Sequence, residues 1–429
     1  MNKQFFIYLI FVMTFTSISL LQLSGQTTIR KEVLPNGSVY IVTQINPAYT
    51  IDSAKYAIFI PEGIKLIKGV FIHQHGCTME GRGIATAYDV QYQSFAKKWQ
   101  LAILGPDLYS KNNCHDWKNP ESGSAKALFT TLSQVSEFTK LRSLKDASWL
   151  LWGHSGGSYW AQAMMNTYPE RIMALFCYSP GLDQDWDYVE ATLKIPVMIR
   201  HAGLEGDACC WETAIKTFQQ LRNPGGYVSI AYTPYQNHNF SYVRYIAIPF
   251  YESIMKQRLP EGNNTAYPFM RAMNPVLAWV GDTTNFNIYK VSEFNGIKRN
   301  TSWLSDSLFA IKWREYVITG TVIDRTPPPA PYAVQIVRRH NTLVTVTWKA
   351  DADIESGISH FNIYKNNQWI ARFPASGHYQ HFDTNGDDAF PLCLPPLKTD
   401  LTVLWNDTAK ISITTVNHFG LESLKSFHP

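Results

Sequence analysis

The fold of this chain is indicated most directly by the stretch Ser148-Trp149-Leu150-Leu151-Trp152-Gly153-His154-Ser155-Gly156-Gly157. Its first five residues form an apolar run with the length of a buried strand, and a helical pattern follows from Ser158. A Gly-x-Ser-x-Gly between strand and helix makes a tight turn, because the glycines let the backbone close without side-chain clashes. The stretch therefore predicts that Ser155 is an exposed nucleophile, close to the partial positive charge of a helix N-terminus.

Around this stretch, residues 53–259 alternate short apolar runs with longer helical stretches. The apolar runs predict strands at Ala54–Ile60, Gly69–His73, Leu101–Leu104, Ser148–Trp152, Ala174–Tyr178, Pro196–Arg200 and Tyr227–Tyr232. The stretches between them predict helices at Ala85–Trp99, Ser122–Leu141, Ser158–Tyr168, Trp211–Leu221 and Tyr242–Arg258. Repeated strand–helix–strand units predict an α/β fold with a mostly parallel sheet and helices on both faces.

A serine hydroxyl is a weak nucleophile that needs an adjacent base, oriented by a third group. In this architecture the three groups follow one another along the chain as serine, acid and histidine. His238 lies in a loop beyond the last predicted strand and ahead of a terminal helix, so we predict that it is the base. For the acid, Asp207 and Glu205 compete in an earlier loop, and Asp207 has the better position.

The oxyanion that develops in such chemistry needs hydrogen-bond donors. We expect one donor to be the backbone N–H of Gly156, and the other to be that of Cys77, where Gly76 allows a sharp turn after a strand. The Cys77 thiol is a candidate partner for Cys114, because loops after adjacent strands lie close together. We interpret the nearby histidines as structural; they are His75, His115, His154 and His201.

The composition excludes several classes of function. The 429 residues carry 38 basic and 34 acidic side chains, a net charge of 38 − 34 = +4, with no basic run that would bind nucleic acid. An apolar fraction of 45% excludes general disorder. No cysteine or histidine spacing indicates a metal site, and we expect His73 and His75 to point to opposite faces of a strand. No cofactor is predicted.

The N-terminus has the layout of a secretory signal: Lys3, an apolar run from Phe5 to Leu23, then small residues. We expect cleavage near Gly25 and a secreted or periplasmic protein, with an uncleaved anchor as the alternative. No other stretch is apolar enough to insert stably into a membrane. Export makes disulfides possible, and the six cysteines allow 15 complete pairings.

The C-terminal part of the chain changes in character after residue 260. Residues 261–325 form a connecting or lid-like region with one predicted helix, Ser305–Tyr316, and the proline-rich Thr326–Pro331 marks a semi-rigid boundary. Residues 326–429 predict a seven-strand all-β sandwich. Its clearest strands are Leu343–Trp348, Ile358–Tyr364, Gln368–Phe373 and Lys410–Val416. Trp348 and Trp369 are expected in core or edge packing.

Residues 54–259 resemble an α/β-hydrolase. Gly105-Pro106-Asp107 and Trp149–Gly157 are similar to secreted bacterial esterase-like proteins, such as feruloyl esterases, acetylxylan esterases and polyhydroxybutyrate depolymerases. The region from Thr326 onward resembles fibronectin type III modules, on Glu355–Ile358, Phe361–Tyr364 and Val416–Ser423, although Ile411 replaces their usual corner tyrosine. The implied domains are a signal at 1–25, a catalytic domain at 26–260, the connecting region and the sandwich.

The resemblance implies a secreted serine esterase whose substrates are carboxylic esters, small or linked to a polysaccharide, including acylated plant glycans and aromatic esters. A serine peptidase of the same fold is one alternative. A carbohydrate- or surface-binding protein with a degenerate hydrolase body is another. The oligomeric state is left open.

Overall fold

The computed structural model describes residues 27–428 except 49, 78–81, 180–187, 204–210, 235, 237, 239–241, 263–269, 341, 381–393 and 403–409. The predicted signal segment, residues 1–25, lies outside the described residues, as do Cys209, Cys210 and Cys393. Within the described residues, no helix combines the length and the apolar character needed to cross a bilayer.

The largest sheet has nine strands in the order β1-β2-β3-β5-β4-β6-β7-β8-β9. The strands are β1 (Thr27–Leu34), β2 (Gly37–Ala48), β3 (Ile51–Pro61), β4 (Gly69–Gln74), β5 (Leu101–Tyr109), β6 (Ser148–His154), β7 (Ile172–Tyr178), β8 (Val197–Ala202) and β9 (Val228–Thr233). Pairing is parallel from β5 across to β9, and antiparallel among β1, β2, β3 and β5. The mostly parallel sheet predicted from the sequence is confirmed.

Helices cover both faces of this sheet. They are α1 (Arg82–Thr86), α2 (Val90–Trp99), α3 (Cys114–Trp117), α4 (Ser124–Thr139), α5 (Ser143–Asp146), α6 (Gly156–Thr167), α7 (Trp211–Arg222), α8 (Arg244–Arg258) and α9 (Ser307–Thr319). Leu150 and Trp152 of β6 pack into one core with α2, α8 and α9, while Trp149 and Leu151 pack into another with α4, α6 and α7. A strand buried on both faces explains why its sequence is a continuous apolar run.

The helix predicted at Ala85–Trp99 is in fact two helices, α1 and α2. The break comes at Asp89, whose side chain accepts hydrogen bonds from the N–H groups of Gln91 and Tyr92 and so caps α2. An aspartate that bonds the backbone in this way starts a helix instead of continuing one.

Residues 270–322 pack against the large sheet. They include three short strands, β10 (Trp279–Asp282), β11 (Ile288–Lys290) and β12 (Thr301–Leu304), and helix α9. Trp313 of α9 is fully buried, and its Nε1 donates to the carbonyl oxygen of Ile230 in β9 at 2.9 Å. This part of the chain therefore contributes to the same core as the nine-stranded sheet.

The C-terminal region is all β within its described residues. Its strands are β13 (Tyr332–His340), β14 (Leu343–Lys349), β15 (His360–Lys365), β16 (Gln368–Phe373), β17 (Lys398–Thr402), β18 (Ile411–Val416) and β19 (Ser426–Phe427). They form a three-stranded sheet, β13-β14-β17, and a four-stranded sheet, β16-β15-β18-β19. Val346 and Trp348 from the first and Phe361 and Ile413 from the second share one core. The fibronectin type III assignment stays a prediction.

The C-terminal region contacts the body of the molecule through main-chain hydrogen bonds. The N–H of Ala352 donates to Ser94 Oγ at 2.7 Å, and Gln91 Nε2 donates to the carbonyl oxygen of Ile354 at 2.9 Å. Lys97 forms an ion pair with Asp351 at 2.5 Å. All three contacts join α2 to the segment between β14 and β15.

Candidate active site

Ser155 occupies the turn between β6 and α6, where the sequence placed it. Its backbone has φ 49° and ψ −120°, a conformation that non-glycine residues rarely adopt and that is found most often at functional sites. The turn is held by two backbone hydrogen bonds, from the N–H of Ser155 to the carbonyl of Tyr178 and from the N–H of Ser158 to the carbonyl of Ser155, both 2.9 Å. The side chain is partly exposed, as a nucleophile requires.

The glycines of the motif are required by close backbone contacts. A Cβ on Gly153 would lie 2.6 Å from the carbonyl oxygen of Gly157 and from Cα of Ser158. A Cβ on Gly157 would lie 2.2 Å from the carbonyl oxygen of Gln74. Because real Cβ atoms do not approach other atoms so closely, a larger residue at position 153 would push the start of α6 away from β6, and one at position 157 would displace the serine turn from β4.

The two predicted oxyanion donors lie side by side. A Cβ built on Gly156 would be 3.3 Å from the backbone nitrogen of Cys77 and 2.2 Å from its Sγ. Cys77 forms a disulfide with Cys114, with a Cα–Cα distance of 5.2 Å, so the expected pairing is found. The disulfide connects the loop after β4 to the start of α3, and Gly156 is the first residue of α6, where N–H groups lack partners within the helix.

His238 is held next to the serine turn by its backbone. Its carbonyl oxygen accepts hydrogen bonds from Tyr178 Oη at 2.8 Å and from His154 Nε2 at 3.2 Å. The rings of His154 and His238 are 5.2 Å apart between centroids. Since His154 directly precedes Ser155, the structure brings the predicted base into the neighbourhood of the predicted nucleophile. Asp207 and Glu205, the two candidate acids, lie outside the described residues, and their role stays a prediction.

His154 supports this arrangement as a neutral residue. Burial is the main cause that lowers its pKa well below the ordinary value, and the nearby His238 and His75 lower it further. Its ring stacks on Tyr178 at 4.5 Å. Because the carbonyl of His238 can only accept, Nε2 of His154 carries the proton in this hydrogen bond. The structural role that the sequence indicated for His154 is consistent with these contacts.

A buried polar network behind His238 was not predicted from the sequence. Arg200 of β8 is fully buried, with its guanidinium 5.0 Å from the ring centroid of Tyr178, and it donates to the side chain of Gln236. Arg200 Nε also donates to Tyr316 Oη at 3.2 Å, and Gln236 Nε2 donates to the carbonyl oxygen of Gly320 at 3.1 Å. The only sequence signal is a charged residue at the end of an apolar strand.

The expectation for His73 and His75 is wrong. Their rings lie on the same side, 4.2 Å apart between centroids. Residues two apart along a strand share a face, and His75 in addition follows the end of β4. Both rings are buried, and burial is the main cause that lowers the pKa of His75 to about 3.

A group of three acidic side chains lies at the junction with the C-terminal region. Among the described residues, Asp324, Asp353 and Glu355 are the one group of metal-ligating side chains close enough to share an ion. Protein donors already engage them: Asn417 Nδ2 donates to Asp324 at 3.0 Å and to Asp353 at 3.1 Å, and Lys312 pairs with Glu355. We assign this group no part in the candidate active site.

Comparison with family models gives no match, and comparison with curated proteins gives none either. Among solved structures, the chain is similar to an S-formylglutathione hydrolase from Agrobacterium tumefaciens, at 15% identity over 54% of this chain and 99% of that one, with a TM-score of 0.37. It is also similar to a ferulic acid esterase, at 14% identity over 52% and 98%, with a TM-score of 0.35. A thermostable esterase matches at 17% identity over 47% and 67%, with a TM-score of 0.33.

Proposed function

We propose that the protein is a secreted serine hydrolase that cleaves carboxylic esters through an acyl-enzyme on Ser155. The observation that carries this proposal is the backbone of Ser155, at φ 49° between a fully buried strand and the first residue of α6, with the backbone nitrogen of Cys77 next to Gly156. Such a turn holds a hydroxyl at the carboxyl edge of the sheet, facing main-chain donors.

In this proposal the Oγ of Ser155 attacks the ester carbonyl carbon while its proton passes to the imidazole of His238. The N–H groups of Cys77 and Gly156 stabilise the tetrahedral oxyanion. The alcohol leaves with the proton from His238. His238 then takes a proton from a water molecule as that water attacks the acyl carbon, and it returns the proton to Ser155 Oγ as the acid leaves. Asp207, or Glu205 in the alternative assignment, orients the imidazole and stabilises its charged form.

The electrostatics around His238 support a base that becomes positively charged. His154, whose pKa lies well below its ordinary value because it is buried, is neutral at pH 7. It therefore binds the backbone of His238 without placing a second positive charge beside the imidazolium that forms during attack. The N-terminus of α6 adds partial positive charge on the side of the oxyanion.

The disulfide supports the secretion part of the proposal. Disulfides such as Cys77–Cys114 persist in oxidising compartments and are rare in the cytosol. Together with the signal predicted at residues 1–25, this favours a substrate met outside the cytoplasm, for which acylated plant glycans and aromatic esters are our candidates.

The proposal is tested by labelling with a fluorophosphonate, which reacts with activated serines. We expect the wild-type protein to be labelled and Ser155→Ala to be unlabelled, with ester hydrolysis reduced at least about 10⁴-fold. Ser307→Ala, which removes an exposed hydroxyl at the start of α9, is the control and should be labelled like the wild type.

Three outcomes would contradict the proposal in different ways. A folded wild type that is not labelled favours a binding protein. Labelling that survives in Ser155→Ala identifies another nucleophile. Hydrolysis of peptide but not of acyl-sugar or aryl-ester substrates leaves the serine mechanism intact and overturns the ester assignment.

A further inference from the structure

Three aromatic side chains and one serine lie on one line across the outer face of the four-stranded C-terminal sheet, and the serine, Ser412, is buried. Trp369 pairs with Tyr364 across β16 and β15, Tyr364 pairs with Ser412 on β18, and Ser412 pairs with Phe427 on β19. Directly paired residues share a face, and strands lie about 4.8 Å apart, so this aromatic row runs across the strands for roughly 14 Å. Its neighbours along the strands, Ile363 and Ile413 among them, belong to the core instead.

The two ends of the aromatic row are open to solvent. Trp369 is 59% exposed and Phe427 is 51% exposed, whereas Trp348 in the same region is 5% exposed and belongs to the core. Among the described tryptophans, Trp369 alone is largely exposed. A large indole at the surface of a strand is therefore unusual within this chain and is not explained by core packing.

Hydrogen bonds fix the rings before any ligand arrives. Trp369 Nε1 donates to Asn362 Oδ1 at 3.1 Å, and Tyr364 Oη donates to Glu422 Oε1 at 2.5 Å. Rings held in this way lose little conformational entropy on binding, which is a property of preorganised ligand sites.

A polar row runs beside the aromatic row, two residues away on β15 and β18 and three residues away on β16, where the register shifts. Arg372 pairs with Asn362, and Asn362 pairs with Thr414. Glu422 closes the row, accepting from Asn362 Nδ2 at 3.1 Å and from Thr414 Oγ1 at 2.5 Å. Thr414 itself is buried, so a ligand can reach Arg372, Asn362 and Glu422. Among the described residues, these hydrogen bonds and that from Tyr364 all fall on Oε1, so Oε2 can accept from a ligand hydroxyl.

We propose that this face binds a neutral polysaccharide. A pyranose ring has an apolar C–H face that stacks on an aromatic ring and hydroxyls at its edge that need both donors and acceptors, and the paired rows offer these side by side. Charges of both signs surround the rows: Glu422 and Arg372 both neighbour Asn362, and Lys425 Nζ lies over one face of the Tyr364 ring, 4.1 Å from its centroid. This mixture favours an uncharged polymer over a polyanion or polycation. The exposed rings of Trp369 and Phe427, on the two edge strands of the sheet, favour an extended chain that spans it.

The proposal does not depend on the esterase function and is tested on the full chain by native affinity electrophoresis. The gels contain mixed-linkage β-glucan, arabinoxylan, glucomannan or, as the charged polymer, polygalacturonate. We expect at least one neutral polymer to retard the wild type, and Trp369→Ala to weaken the apparent affinity at least about tenfold. Phe427→Ala should weaken it less, and Ser155→Ala should bind like the wild type.

The matched control is Leu424→Ala, which removes an 84% exposed side chain from the same region but from neither row. It should bind like the wild type, and thermal unfolding should show that all variants are folded. The proposal is overturned if no neutral polymer retards the wild type, or if Trp369→Ala is retarded equally. It is also overturned if poly-L-proline competes for the site, or if Trp369 instead mediates a concentration-dependent dimer.

Discussion

Tyr178 joins the two halves of the candidate site through one side chain. Its ring stacks on His154, and its hydroxyl donates to the carbonyl oxygen of His238. The residue thus connects the segment that carries the serine to the loop that carries the predicted base. We treat it as a positioning residue because its hydroxyl binds the backbone of His238.

Replacement of Tyr178 by Phe should reduce kcat for aryl-ester hydrolysis roughly tenfold while KM changes little, because one buried hydrogen bond that positions His238 is lost. Tyr251→Phe is the control, since it also removes a buried tyrosine hydrogen bond, to the carbonyl of Leu151 at 2.7 Å, but in the core. Steady-state kinetics and thermal unfolding of both variants check this. Equal losses of kcat in the two variants would indicate a merely structural effect.

At the scale of residues, the sequence predicts what short motifs encode and misses what tertiary contacts assemble. The turn at Ser155 and Gly156 could be located because a glycine-rich turn requires particular residues at fixed spacing, while the roles of Ser155, Gly156 and Cys77 stay predictions. Arg200 and Tyr178 could not, because they lie on separate strands and meet only when the sheet forms. A charged residue at the end of an apolar run predicts burial of a charge but not its partners.

At the scale of elements, the disulfide fixes the loop that follows β4. Cys77 and Cys114 are 37 residues apart, and without their bond the predicted donor at Cys77 depends only on local packing. We expect Cys77→Ser/Cys114→Ser to lose about 2–4 kcal/mol of unfolding free energy and to hydrolyse esters more slowly. Urea unfolding and initial rates, with and without a reductant, check this.

The double serine variant also serves as the control for the reductant, because it lacks the Cys77–Cys114 bond. Reductant should destabilise the wild type more than the variant, which keeps the other four cysteines. If the reduced wild type keeps its full rate of hydrolysis, the disulfide does not position the oxyanion loop.

Elements with one strong pattern were predictable, and elements that depend on a single capping or turn residue were not. The buried strand β6 is an uninterrupted apolar run and was predicted within two residues. The hairpin of β1 and β2 was not predicted, although its two-residue turn, Pro35-Asn36, is a recognisable signal. The boundary between α1 and α2 likewise depends on the cap at Asp89, which periodicity alone does not detect.

At the scale of the whole molecule, a pair of buried carboxyl groups lies at the junction between body and C-terminal region. Asp324 and Asp353 share a donor, Asn417, and burial together with the charge of Asp324 raises the pKa of Asp353 to about 7. The folded state therefore holds a proton that the unfolded chain releases more easily. The stabilisation that comes from the raised pKa of Asp353 is complete below the ordinary carboxyl pKa and is lost as the pH rises through about 7.

Asp353→Asn should accordingly raise the free energy of unfolding at pH 8.5, on the order of 2–4 kcal/mol, and have little effect at pH 4. Asp351→Asn, in the same segment, is the control, because its carboxylate pairs with Lys97 and not with a second acid. Denaturant titrations at several pH values measure the difference. A constant difference between Asp353→Asn and the wild type across that range would refute the shared proton.

The main-chain contacts between α2 and the segment following β14 have a mechanical consequence. Ser94 and Gln91 form hydrogen bonds with the backbone at Ala352 and Ile354. The two parts of the molecule therefore move together and are not joined only by a flexible linker. If the sheet face binds a polymer, Ser155 can reach only those ester bonds that lie within a fixed distance of the bound segment. Ester hydrolysis would then be concentrated around each point of attachment. Distant stretches of the polymer would be hydrolysed only after the protein dissociates and binds again.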